Sequence, residues 1–559
     1  GNLEQSASAS LSNVKGKMEL SMNLNASNQR ERITSTLNRT SLSNGQPIGE
    51  LLQKDEVTQH DRGVFGDLGV TYRVDSLQKI STSLTFWNGA WPSNSNLYNF
   101  YQDSKGAAVY NQQSNTGNHS GYYEWSAVYQ KLFHRKGQEL QALGSASFSK
   151  DRSVYTTRQY TLAGKPYFLE TGPNNSKSWD LNLQADYTHP LNSSGKNVIE
   201  TGLKFSRMSA NTSYSARNNE KDPGSDKLLE IPSRSDEMKY FQNIYAAYAS
   251  VKFETRNKWT FRTGLRYEGT GIGGDFQRMP SSFRSTFSNL VPSVLLSKAL
   301  NEQHDVKVAY TERIRRPWIW DLNPFVNASD PRNLSSGNPL LRPETTRTLE
   351  FGYNYVARSG LSLNNSIYFS SNSNAIEMLT IVDSLGISRT SPSNIASNKR
   401  LGANVNAAME IGDLTVNGGV ELYQVWFNSN ALQVKNSAGF YAVNLNLSYA
   451  LPKDFTLQAS GDYNNGYITL QGRNSGAWSY SFTAQKEFLK KKASILVGVS
   501  NPFQRSLLQY ANATAPSFRS TTSSHYFNRS FHITFNWKFG SLKARDNDEV
   551  KRMPPRGRY

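Results

Sequence analysis

From Arg529 the chain reads RSFHITFNWKFG, and its apolar and polar residues alternate strictly. Phe531, Ile533, Phe535, Trp537 and Phe539 fall on one face; His532, Thr534, Asn536 and Lys538 fall on the other. A period of two belongs to a β-strand with one apolar and one polar side. A single segment of this kind would suit a soluble sandwich. Here the pattern returns about twenty times in stretches of roughly ten residues, which is the pattern of a transmembrane β-barrel. About 9–11 residues suffice to cross a bilayer when the strand is tilted.

Composition supports that reading. Aromatic residues make up 12% of the 559, yet apolar residues total only 37%, and the mean hydropathy is −0.61. A large soluble core is hard to assemble from such a mixture. A barrel does not need one, because its apolar surface meets lipid and its lumen is polar. No run of about 18 apolar residues is present to make a membrane helix. A spanning chain must satisfy every backbone group internally, and a closed barrel does so. With no cysteine, disulfides, thiolate metal sites and cysteine nucleophiles are excluded. The net charge of +18 is dispersed along the chain. It points to anionic lipid headgroups and lipopolysaccharide, not to nucleic acid.

The expected fold class is all-β, a transmembrane antiparallel barrel over residues 1–540 followed by a charged periplasmic tail at 541–559. The alternation predicts 21 strands: 3–12, 17–29, 62–74, 78–88, 120–133, 138–150, 177–189, 196–212, 237–253, 258–269, 286–298, 304–316, 345–357, 361–371, 399–411, 414–427, 437–451, 454–464, 476–488, 492–501 and 527–539. Short turns rich in Gly, Asn, Asp and Pro join them on one side. Examples are Asn13–Gly16, Asn192–Gly195 and Gly412–Asp413. Long loops join them on the other side, at roughly 40–60, 88–119, 150–177, 213–237, 270–286, 317–344, 372–398, 428–437, 465–475 and 502–526. In such barrels the short turns are periplasmic and the long loops extracellular. The last strand then descends, and so does strand 3–12. Bacterial single-chain barrels have an even strand number, so an ascending strand is expected before Gly1, about 22 in the whole. The opening residues GNLEQSASASLSNVKG show neither a charged nor an apolar signal region. The expectation is a barrel whose first strand belongs to an upstream segment, whose export signal was removed or lies there too, and whose N-terminal plug is upstream, absent or on another chain. A missed or wrongly split strand is the alternative account of the odd count.

Residues 305–355 carry the most specific pattern. A strand ending in Tyr310 is followed by Arg313-Ile314-Arg315-Arg316-Pro317, Leu322-Asn323-Pro324-Phe325, Asp330-Pro331, Gly337-Asn338-Pro339 and Leu341-Arg342-Pro343-Glu344. The next strand opens with Thr348-Leu349-Glu350-Phe351-Gly352-Tyr353. With Gly264-Leu265-Arg266-Tyr267-Glu268, Leu290-Val291-Pro292-Ser293 and the closing Phe539-Gly540, this resembles the barrel of TonB-dependent outer-membrane receptors in the form common in Bacteroidota. The resemblance implies active uptake: a ligand binds from outside, a plug rearranges, and TonB supplies energy from the inner-membrane proton gradient. It implies the plug and TonB as partners, with surface lipoproteins or other envelope proteins as further candidates. The ligand would be a siderophore, an oligosaccharide or a peptide. No TonB box is seen in the chain, so it corresponds to the wall alone. The alternative reading is a non-transporting barrel, a subunit of a larger outer-membrane assembly for protein insertion, secretion or surface display.

Read physically, Pro317, Pro324, Pro331, Pro339 and Pro343 each fix φ and remove a donor. The loop cannot be regular strand and is expected to fold over or into the mouth as a brace. Arg313, Arg315 and Arg316 would pair with Asp321, Asp330 and Glu344 or with lipopolysaccharide phosphates. The family-motif positions are therefore Arg313, Arg316, Pro317, Asn323, Pro324, Asp330, Asn338, Pro339, Pro343 and Glu344.

Other chemistry is sparse. Gly269, Gly271 and Gly274 have GxGxxG spacing, but no helical pattern follows to meet a phosphate; a flexible loop start is expected. None of the seven histidines sits in a zinc-type pair, and neither a Gly-x-Ser-x-Gly elbow nor a Walker motif occurs. No enzyme, metal or cofactor is expected. In the loop 88–119, Trp91, Tyr98 and Tyr101 stand among Asn and Gln, suiting a sugar or peptide by stacking and hydrogen bonding. The competing reading is an interfacial aromatic girdle. Asp75-Ser76-Leu77 and Asp383-Ser384-Leu385 match a short O-glycosylation pattern at Ser76 and Ser384.

Overall fold

The computed structural model describes residues 4–278, 282–430, 432 and 434–540; the tail expected at 541–559 lies outside them. These residues form a single sheet of 28 strands. In order they begin β1 (Glu4–Lys15), β2 (Met18–Ser43), β3 (Gln46–Arg73), β4 (Gln78–Ala90), β5 (Ser93–Asp103), β6 (Gly106–Leu132), β7 (Glu139–Tyr160), β8 (Pro166–Pro190) and β9 (Val198–Tyr214). Then come β10 (Arg217–Asn218), β11 (Leu229–Glu230), β12 (Asp236–Glu254), β13 (Trp259–Phe276), β14 (Ser282–Ala299), β15 (His304–Arg315), β16 (Asn333–Ser335), β17 (Glu344–Val356) and β18 (Ser362–Val382). The last are β19 (Ser388–Ile411), β20 (Leu414–Ser429), β21 (Val434–Leu451), β22 (Phe455–Asn464), β23 (Gly472–Asn474), β24 (Ala477–Phe488), β25 (Ala493–Ser500), β26 (Leu507–Ala515), β27 (Phe518–Tyr526) and β28 (Ser530–Trp537).

The count of 28 corrects the 21 expected from alternation. The surplus is β5, β10, β11, β16, β23, β26 and β27, which form where the sequence pattern predicted loops. Several strands also run much further than expected. β2 and β3 continue through 40–60 to a two-residue turn at Asn44-Gly45, whose φ angles are 50° and 77°. Both residues accept the left-handed region, as a tight hairpin of this type requires. The other strands form one path of antiparallel neighbours from β1 through β2, β3, β4, β6, β7, β8, β9, β12, β13, β14, β15, β17, β18, β19, β20, β21, β22, β24 and β25 to β28.

Alternation sets the two faces of this wall. In β28, Phe531, Ile533, Phe535 and Trp537 are all exposed, as lipid-facing residues of an isolated barrel must be. In β21, Val443, Leu445 and Tyr449 point outward, while Asn444, Asn446 and Ser448 take the other face. Leu414, Val416 and Val420 of β20 stand opposite Tyr449, Leu447 and Val443, extending the apolar belt sideways. The aromatic pairs Tyr441–Tyr463 and Trp478–Tyr480, with centroids 5.8 and 4.9 Å apart, mark its rim.

The side of β2 away from β3 is covered differently at two heights. Near the membrane, β1 pairs with β2 from Met18 to Gln29. Higher up, β27 takes the same side of β2, from Ile33 to Ser41. β26 then pairs with β27, and β23 with β26. Below this extracellular hairpin, β1 and β28 each have a partner on one edge only among the described residues. Along the antiparallel path these two edge strands point the same way, so they cannot pair antiparallel with each other.

The glycine-rich stretch also needs correction. Gly269, Gly271 and Gly274 lie inside β13, bonded to β12 on one side and β14 on the other. No loop begins at Gly269. A Cβ on Gly273 or Gly274 would sit 2.6 or 2.3 Å from the rings of Phe241 or Phe283, so these glycines make room for cross-strand aromatics.

Candidate functional site

The segment between β15 and β17, residues 316–343, leaves the wall and crosses the extracellular mouth. Its root is an ion pair between Arg315 and Glu344. Glu344 is buried and also accepts from Asn372 at 2.6 Å. Arg316 turns away from the loop acids and reaches Glu268 and Thr270 on β13. Arg313 remains exposed. Of the pairings with loop acids offered by sequence, only Arg315 with Glu344 forms among the described residues. Asp321 instead accepts from the Trp318 backbone at 3.0 Å. This closes the start of a one-turn helix α1 (Ile319–Leu322).

The two arms of this strap are pinned to each other. The Gly337 N–H donates to the Asn323 carbonyl at 2.7 Å, and the Asn338 N–H to the Asp321 carbonyl at 2.5 Å. A Cβ on Gly337 would lie 2.4 Å from the Asn323 oxygen; only glycine permits the approach. Asn338 donates to the Pro392 carbonyl of β19 at 3.1 Å and accepts from the Leu340 N–H at 3.0 Å. Pro317 is buried, while Pro324, Pro339 and Pro343 are half-buried. Ile319, Leu322, Phe325 and Leu341 form an apolar cluster with Tyr155, Tyr214, Met238, Tyr240 and Ile272 from the inner faces of β7, β9, β12 and β13. Burying such side chains contributes about 1.5–3 kcal/mol each, so this half of the strap is firmly seated.

The far end is held by polar groups. The Tyr214 hydroxyl donates to the Val326 carbonyl at 2.6 Å and its ring stacks on Phe325 at 5.2 Å. The Ser329 carbonyl accepts from Gln112, Ser114 and Thr157 at 3.0, 3.1 and 2.9 Å. Asp330 accepts from Gln53 at 3.1 Å and from Asn333 at 2.6 Å. Arg39 of β2 donates to the Asn333 side chain at 2.5 Å and to the carbonyls of Arg332 and Gly386 at 3.2 and 2.8 Å. The strap therefore starts at β15 and β17 and ends on β2 and β3, which lie about half the wall away along the path of paired strands.

Electrostatics differ at the two ends. Burial pulls the Arg39 guanidinium down to about 10, partly offset by the charge of Asp330. Near the root, in the extracellular extension of β18, burial raises the Glu377 carboxyl to about 7; the charge of Glu344 adds to this and Arg315 opposes it. Beside the apolar cluster, the buried Glu170 is held by Arg234 at 3.0 and 2.8 Å and accepts from Tyr155 at 2.6 Å. Burial, Tyr214 and Glu170 together push the Tyr155 phenol upward.

The three aromatic candidates do not form one site. Tyr101 is buried, with the Arg332 guanidinium 4.0 Å above its ring. Tyr98 alternates to the opposite face of β5, beside Asn99, which is buried and accepts from Gln53 at 3.1 Å. Trp91 sits at the corner between β4 and β5, its ring 5.9 Å from Trp87. Ser76 and Ser384 are both exposed in turns. Among the described residues no group of three or more His, Asp or Glu is placed to hold a metal. The sequence reading missed Arg39, Gln53, Ser114 and Thr157. Each is a polar residue on a strand face, and no local pattern sets it apart from the polar residues of the lumen.

A wall of antiparallel strands, apolar outside and polar within, with a strapped mouth, defines an outer-membrane β-barrel. The chain belongs to the outer membrane protein beta-barrel family, whose model matches residues 131–537, and it resides in the outer membrane of a Gram-negative bacterium. Among solved structures it is similar to the copper transporter OprC, at 12% identity and a TM-score of 0.55, over 94% of this chain and 80% of that one. It is also similar to the siderophore receptor PiuA of Acinetobacter baumannii, at 11% and 0.52, over 90% and 86%. A third is the ferric-catecholate import receptor Fiu of E. coli K12, at 11% and 0.51, over 89% and 81%. At these identities the likeness is one of fold. Comparison with curated protein sequences gives no match.

Proposed function

We propose that this chain forms the wall of an outer-membrane uptake barrel that takes a scarce nutrient, such as a siderophore or other metal chelate, an oligosaccharide or a peptide, and is driven through TonB. The observation that carries the reading is a polar-lined barrel fold shared with a copper transporter, a siderophore receptor and a ferric-catecholate import receptor. In this reading an ascending strand, supplied by a segment upstream of Gly1, fills the place between β1 and β28, and a plug upstream of that strand fills the lumen. Lipopolysaccharide covers the outer rim, and no catalytic step is required of the chain.

The test is solute depletion. Cells with and without the gene are grown in a defined mixture of metal chelates, oligosaccharides and peptides, and the medium is followed by mass spectrometry, with and without an uncoupler. Uptake predicts at least one solute removed only by gene-bearing cells and only while the proton gradient stands. Identical depletion in every arm contradicts uptake. A second reading, a barrel subunit of a larger envelope assembly, draws on the one-sided edges of β1 and β28, since an unpaired edge accepts a strand from a partner.

A further inference from the structure

We infer that the strap 316–343 is a hinged gate over the extracellular mouth, with its hinge at Arg315 and Glu344 and its latch at Arg39. The inference rests on how unlike the two ends are. The hinge half is seated in an apolar cluster and anchored by Arg315–Glu344 and by Arg316 on β13. The tip, 326–335, has no comparable apolar seat. Against the rest of the wall it is held by hydrogen bonds from polar side chains of β2, β3, β6, β7 and β9. Its own β16 pairs in parallel with β19, so the tip and the β18–β19 hairpin move as one unit. Polar contacts exchange for water at small net cost, whereas an apolar seat does not. The tip therefore releases first while the hinge half stays in place.

Arg39 is the latch because a single guanidinium joins three elements. It ties β2 to the strap at Asn333 and Arg332, and to the β18–β19 hairpin at Gly386. Ser388 of β19 donates to the same Asn333 oxygen at 2.7 Å, and Arg332 reaches the Leu385 carbonyl at 2.7 Å. Strap tip and hairpin tip are thus clasped to the far wall together. Among the described residues no carboxylate bonds Arg39 directly: its three acceptors there are an amide and two carbonyls, and its Nε has no partner among them. A buried cation held only by neutral acceptors is a weaker tie than a paired one, which suits a latch that must open. A ligand or partner entering the lumen from outside would displace the tip from β2 and β3 and swing the strap about its root. The gate stands whether the barrel transports or serves as a scaffold.

The chain has no cysteine, so a single introduced thiol reports cleanly. Ala328 lies near the tip and Leu341 near the root, and both are buried. The full-length protein in its own outer membrane is labelled with a membrane-impermeant maleimide as A328C or L341C, with and without R39A. Heat-modifiable electrophoretic mobility selects folded barrels. The latch predicts that R39A speeds labelling at A328C by about tenfold or more and leaves L341C unchanged. N333A, which removes the strap side of the same contact, should do likewise if R39A fails to fold. An unchanged rate at A328C in both variants overturns the latch. Equal acceleration at both positions overturns the hinge, because the whole mouth would then be loosening at once.

Discussion

At the residue scale, close backbone approach and burial decide what the strap tolerates. Gly337 faces the Asn323 and Asp321 backbones at less than van der Waals distance for any Cβ. Its φ is not in the left-handed region, so the constraint is steric. Gly337→Ala should cost roughly 1–3 kcal/mol, the range for overpacking a tight site. Hydrogen exchange reads this as faster exchange at the amides of residues 337 and 338, with β12 unchanged. Gly271 has open space around it, and Gly271→Ala serves as the control. Equal effects at the two glycines would contradict the steric account. Residue types that announce such sites were partly readable: the proline-rich motif pointed to the strap, and Arg315 with Glu344 to its root. Arg39 was not readable. It lies within an Asn-Arg-Thr triplet of β2, and its role depends on groups some three hundred residues away.

At the scale of elements, alternation fixed which side of each membrane-spanning strand meets lipid. In β21, Leu445 faces out and Asn446 faces in. Leu445→Arg should destabilise the barrel by about 2–4 kcal/mol, the cost of a cation near the bilayer midplane, whereas Asn446→Arg should be nearly neutral. Denaturant unfolding in phospholipid vesicles distinguishes them; similar losses at both positions would contradict the assigned faces. The extracellular elements were less legible. Above the membrane both faces of a strand meet water or polar neighbours, so the apolar half of the pattern fades. The long β2–β3 and β7–β8 arms and the β26–β27 hairpin were read as loops for that reason. Local turn chemistry carried a better signal: Asn44-Gly45 is a strong hairpin dipeptide, and it sits at the tip of β2–β3.

At the scale of the whole molecule, the wall has one seam among the described residues. The hairpin β26–β27 covers β2 above the membrane, while below it β1 and β28 run in the same direction and each has a partner on one edge only among the described residues. An antiparallel strand between them satisfies both edges at once, and lipid is an environment in which unsatisfied backbone groups are costly. The uptake account places that strand and a plug on the same polypeptide, upstream of Gly1, and expects TonB below. The scaffold account places partner proteins there instead. The most direct measurement is purification of the native protein from outer membrane, with intact mass and peptide mapping of everything that co-purifies. The uptake account predicts peptides from a covalently continuous upstream segment carrying a strand, a plug and a TonB box, with no stoichiometric partner. A stoichiometric set of other envelope proteins, and no TonB box on the chain, would contradict it.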